Sequence, residues 1–181
     1  ILYQGPSLPL FSIIQDVNKY SNNVMAQQVF LTMGLENNNN SSFVSARQNL
    51  NRWWHDKIGS QFTAPILENG SGLSRIEKIT ATSAAQLLKV ASLHSQGNFF
   101  LQSLPIVGVD GTAKVMGSRL GNSPAIGKVF VKTGQRNHFA RPRVKFVTQV
   151  EVVNVGSLQI GITINNGKKL KILVVEWRHF P

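Results

Sequence analysis

"VNKYSNNVMAQQ", residues 17–28, decides how the front of this chain is read. Before it, Leu10, Ile13, Ile14 and Val17 recur at helical spacing, and after it Val24, Met25, Gln28, Val29 and Met33 resume that spacing. Ser21-Asn22-Asn23 splits the two runs, because short polar side chains compete for backbone hydrogen bonds and favour helix breaks and caps. Taken alone, such a break is a turn. A chemical role for its hydroxyl and amides needs a partner elsewhere, and the candidate is "VFVKTG", ending at Gly134. There an apolar strand runs into Lys132 and Gly134 on one face and Thr133 on the other. An ammonium beside bare backbone suits the grip of an anionic group; the plain alternative is a surface Lys before a turn.

Working outward, Ser7 is expected to cap the first helix with Pro9 in its first turn, and Gly34 to close the second. Ser41 or Ser42 caps a third helix through Leu50, Trp53, Trp54 and Ile58, where both tryptophans read as helix packing and Gly59 ends the run. An extended piece at 62–67, a polar loop at 68–75 and a fourth helix at 83–94 follow. Beyond "GVDGT", β-branched residues dominate 129–131, 146–155, 158–164 and 170–175, which predicts strands. "NNGKK", residues 165–169, predicts a tight hairpin, since Asn-Gly suits a primed turn. The expectation is an α+β fold in one partial domain, residues 1–120 mainly helical and 121–181 an antiparallel sheet.

With 181 residues and 42% hydrophobic content, the chain can bury a real core. Its net charge of +11 is uneven. Residues 1–110 hold seven Lys/Arg against six Asp/Glu, net +1, and residues 111–181 hold twelve against two, net +10. Such a field attracts polyanions, but no aromatic-interleaved basic motif accompanies it. The reading is therefore a solvated basic face, with nucleic acid not expected as a partner. No apolar run approaches the ~20 residues that span a bilayer. Cysteine is absent and the four histidines lack ligand spacing, so neither a metal nor another cofactor is expected. A chain that opens on Ile1 without a leader pattern is expected to be a piece or processed form of something longer.

The two tripeptides, in this order and on these elements, resemble the penicillin-recognising serine enzymes, whose motifs are S-x-x-K, S-x-N and K-T-G. "DVNKYSNNVMAQQVFLTMG", "ENGSGLSR", "SLPIVGVDGT" and "GKVFVKTG" together resemble the C-terminal half of the D-alanyl-D-alanine carboxypeptidase/endopeptidase family of the penicillin-binding-protein-4 type. The resemblance runs over residues 7–134 and extends more loosely to "GITINNGKKLKILVV". It implies a partial transpeptidase/β-lactamase-like domain acting on peptidoglycan stem peptides, or a β-lactam in their place, through an acyl-enzyme. It also implies a periplasmic or extracytoplasmic location. Ser21 would relay a proton to the leaving D-Ala nitrogen, and Asn23 would hydrogen-bond the substrate backbone. Lys132 would meet the terminal carboxylate, with Thr133 contributing and Gly134 leaving room. Gln135 would lend its backbone N–H to the oxyanion hole. Asn22 receives no role. Glu68, Asn69, Ser71 and Gly72 read as a loop satisfying its own backbone, and Asp110-Gly111-Thr112 as a turn with a helix cap.

The sequence departs from the family in telling places. None of its eleven lysines has Ser or Thr three residues before it, so S-x-x-K and the nucleophile it supplies are missing. The expectation is an N-terminal truncation whose remaining chain is inactive alone. Gln135 stands where Thr is usual, and Ile162 where Tyr is usual. "QRNHFARPRVKFVTQVEVVNVGSLQI" is longer and more basic than the family's connection, and "VVEWRHFP" replaces its usual ending. A divergent member and a degraded copy both fit. Two other readings stand beside the leading one: a non-catalytic cell-wall or polyanion-binding module, and a β-lactamase on the same scaffold.

Overall fold

The computed structural model describes residues 5–35, 41–135, 150–155, 158–165 and 169–176. Helix α1, Leu10–Tyr20, begins after Pro9, and no side chain caps it. Ser7 therefore is not the cap, because the chain enters the helix two residues later, where Pro9 already fixes an extended approach. Helix α2, Asn23–Thr32, runs into a 3-10 turn at Met33–Leu35, so Gly34 lies inside a tightened last turn rather than beyond it. Helix α3, Phe43–Lys57, starts on a capping box in which Ser42 and Ser45 satisfy each other's backbone N–H. Gly59, at φ 103°, leads the chain away from it.

Helix α4, Ala81–Leu93, starts two residues before the expected position. Thr80 Oγ1 accepts the Ser83 N–H at 3.1 Å and caps the helix, which places Ser83 in its first turn. Buried Ser83 instead donates to the Thr63 carbonyl at 2.8 Å. Helix α5, Gly97–Ser103, was not anticipated; its seven residues pack on α1, with the Phe11 and Phe99 rings 5.1 Å apart. A 3-10 helix at Gly111–Met116 and the short α6, Gly117–Leu120, complete the helical part. The extended piece at 62–67 reduces to one antiparallel bridge between Ile66 and Lys78.

Four strands follow: β1 at Val129–Gln135, β2 at Val150–Val155, β3 at Leu158–Asn165 and β4 at Lys169–Glu176. They form one antiparallel sheet in the order β1-β4-β3-β2, with Lys132 opposite Ile172. Residues 146–149 and the centre of "NNGKK" lie outside the described residues. On its free side β1 is covered by the segment after α5. Val107 N–H donates to the Val129 carbonyl and Val131 N–H to the Pro105 carbonyl, both at 2.9 Å. The edge is thus paired rather than left open. Val129 and Val131 alternate inward against Val107 and Ala113, which turns Lys132 to the opposite face.

Among the helices the core gathers Phe30, Ala46, Trp54, Ile58 and Leu88. Trp54 is 2% exposed and its Nε1–H donates to the Phe62 carbonyl at 2.9 Å, whereas its neighbour Trp53 is 40% exposed and lies outside the buried core. Trp54→Ala should therefore destabilise the chain by about 3–5 kcal/mol in chemical denaturation. Trp53→Ala should lower stability by less than about 1 kcal/mol; equal effects would contradict this division of the pair.

Candidate active site

Helix α1 ends on Ser21, whose φ of 56° and ψ of 48° lie in the left-handed region. It is the one non-glycine residue with positive φ among those described. The conformation costs about 1–2 kcal/mol for a residue with a Cβ, so a Ser held there needs a compensating contact. Asn22 turns back to extended backbone, and its Oδ1 accepts the Met25 N–H at 3.1 Å as the cap of α2. The residue left without a role in the tripeptide thus makes the restart of the helix possible. Asn23 is the first residue of α2, and its Oδ1 faces Gly72, where a Cβ would come within 3.9 Å.

The compensating contact at Ser21 comes from 111 residues away. Lys132 Nζ donates to Ser21 Oγ at 2.9 Å. Since the hydroxyl accepts from the ammonium, its own proton remains available to donate. Burial pushes the Lys132 ammonium below its ordinary value of 10.5, because the charged form loses water. Thr133, Gly134 and Gln135 continue β1 opposite Lys171, Leu170 and Lys169 of β4. The structure therefore joins Ser21 and Lys132 directly, puts Asn23 two residues beyond, and sets the last three positions along the same strand.

Three supporting features escaped the sequence. Lys19, two residues before Ser21, is buried and pairs with Asp110 Oδ2 at 2.5 Å. The other oxygen of Asp110 accepts the Ile106 N–H at 2.7 Å. Asp110 is thus no side-chain cap, as expected of the turn, because its carboxylate is already engaged on both oxygens. Gly111, at φ 52°, lets this turn close on α1: a Cβ there would lie 2.5 Å from the Lys19 carbonyl oxygen. Nothing in local spacing could have paired residues 91 positions apart.

The third feature is Glu77, whose Oε1 accepts the consecutive N–H groups of Glu68, Asn69 and Gly70 at 3.0, 3.1 and 3.2 Å. Asn69 Oδ1 and Ser71 Oγ take the next N–H groups along the same loop. This polar loop therefore satisfies its backbone from within, and Gly70 permits its approach to Phe30, whose ring would lie 2.5 Å from a Cβ. Among the described residues no group of three or more His, Asp or Glu could hold a metal ion, and no helix is long and apolar enough to cross a membrane.

The chain belongs to the D-Ala-D-Ala carboxypeptidase 3 (S13) family, whose pattern matches residues 1–138. Its fold is that of the penicillin binding protein 4 (dacB) of Haemophilus influenzae. The crystal structure of that protein superposes on 96% of this chain with a TM-score of 0.63 and 21% identity. A second crystal structure of the same protein, complexed with a novel β-lactam, covers 100% of the chain with a TM-score of 0.62 and 21% identity. The chain spans 35% and 41% of the lengths of those two structures. No curated protein matches it.

The buried ammonium makes stability depend on pH in a definite direction. With the folded value of Lys132 lowered, the unfolded chain binds more protons between that value and 10.5, so stability rises with pH across this window. Below the window the desolvation penalty is present in full. Lys132→Met removes it, and the stability of the variant relative to the parent should be most favourable at pH 7 and decline toward pH 10.5. Denaturant titrations at pH 7 and 10 measure this; a difference that stays level or grows would be the contrary result.

Proposed function

We propose that this chain forms the S-x-N and K-T-G walls of the substrate cleft of a serine-type D-Ala-D-Ala carboxypeptidase, in a partial transpeptidase/β-lactamase-like domain. The single observation that carries the reading is the 2.9 Å hydrogen bond from Lys132 Nζ to Ser21 Oγ, which brings the two tripeptides together. In this division of labour residues 1–120 supply the helical wall and residues 121–181 the strand wall. Substrate is the D-Ala-D-Ala end of a peptidoglycan stem peptide, and β-lactams occupy the same cleft, which implies work outside the cytoplasm.

A serine hydroxyl attacks the penultimate carbonyl and the peptide C–N bond breaks, leaving an acyl-enzyme and D-Ala. Ser21 passes the proton the leaving nitrogen requires, since its Oγ already accepts from Lys132 and can donate in turn. Lys132 holds the terminal carboxylate through an ion pair strengthened by partial burial. Asn23 orients the peptide, Thr133 and Gly134 line the strand side, and the Gln135 N–H points to the developing oxyanion. Water then releases the acyl group. The attacking serine belongs to an S-x-x-K motif that these 181 residues do not contain.

Fluorescent penicillin tests the assignment. The 181-residue chain should remain unlabelled, and covalent labelling of it would mean that one of its own hydroxyls is the nucleophile. Joined to an S-x-x-K-bearing half from a relative, the chain should acylate. Lys132→Ala should slow that acylation by about 10–150-fold, the loss of one charged hydrogen-bonding partner at about 1.5–3 kcal/mol. An unchanged rate would remove Lys132 from the site.

A further inference from the structure

Ser21 and Lys132 sit on different elements, and the separation between them must be fixed by whatever ties α1 to β1. A continuous chain of contacts does this. Ser21 ends α1; Lys19, two residues earlier, is buried against Asp110 Oδ2 at 2.5 Å. Asp110 Oδ1 accepts from the N–H of Ile106, and Ile106 forms an antiparallel bridge with Phe130. The residues on either side, Pro105 and Val107, hydrogen-bond Val131 and Val129 at 2.9 Å. Lys132 is the next residue on that strand, and its Nζ returns to Ser21 Oγ. The contacts close a ring, and Asp110 is the one side chain in it that grips both the helix and the strand-bound segment.

We propose that Asp110, acting through Lys19, is a positioning residue that holds Ser21 against Lys132. Neither side chain is assigned contact with substrate. The chemistry suits the task. Lys19 has a side chain only 10% exposed, so its ammonium cannot exchange Asp110 for water without disturbing the end of α1. Asp110, 37% exposed, keeps one oxygen on a backbone donor, so its orientation survives motion of the lysine. Gly111 adds backbone contact at the same place, closing directly on the Lys19 carbonyl.

The inference rests on Ser21 and Lys132 being the facing walls of a cleft, but its test does not depend on acylation. A double-mutant cycle on the 181-residue chain combines Asp110→Asn with Lys132→Met and reads the unfolding equilibrium constant. The Asn substitution retains an acceptor for Ile106 and removes the charge from Lys19. Independent roles would make the two effects multiply to within about twofold. Positioning predicts that the effect of Lys132→Met changes by about fivefold in the Asp110→Asn background, and a change of twofold or less overturns the proposal. Should Asp110→Asn fail to fold, Lys19→Met replaces it under the same criterion, since that change leaves Asp110 partly solvated with its backbone partner in place. A failed cycle leaves the penicillin result untouched, so the two readings fall separately.

Discussion

A left-handed serine at the end of a helix, held by an ammonium from a strand, is the constraint around which the described structure is arranged. The backbone of Ser21 is unfavourable by about 1–2 kcal/mol, and a hydrogen bond to a charged group contributes about 1.5–3 kcal/mol. The Lys132 contact is therefore large enough to offset the strain by itself. In return the strain aims the hydroxyl. An ordinary helical φ at residue 21 would carry α1 onward and direct its Oγ along the helix surface. Breaking there, and restarting on the Asn22 cap one residue later, turns the hydroxyl out between two helices.

The pairing of Ser21 with Lys132 was legible before any coordinates, because two short motifs occur in a fixed order on a helix break and a strand end. Elements with strong local signals were legible as well. A serine cap at 41 or 42, which the structure resolves to Ser42, Gly59 beyond α3 and the β-branched strands all follow from residues that act on their neighbours. What was lost depends on distant partners. Helix α5 has Gly at its start and too few residues to show a period, and it is held by packing on α1. Helix α4 starts at Ala81 rather than at residue 83 because Thr80 is its cap. Asp110 looks like one until Lys19 and Ile106 take both its oxygens. Adjacent tryptophans cannot both face the core of one helix, yet only the fold decides that Trp54 is the inner one.

Residues whose polar groups are taken up within their own loop differ from Ser21 in what they have left to offer. Glu77 spends its carboxylate on three backbone donors, and Asn69 and Ser71 are engaged along the same loop, which fits the structural role given to that stretch. Ser21 differs in kind: it accepts from Lys132 and still has a proton to give. A hydroxyl beside a cation transfers its proton more readily, because developing negative charge on the oxygen is stabilised where water is partly excluded. The lysine is altered reciprocally. Its lowered affinity for protons reflects lost solvation. Ser21 Oγ orients that ammonium, so the end of the helix and the strand meet at one hydroxyl.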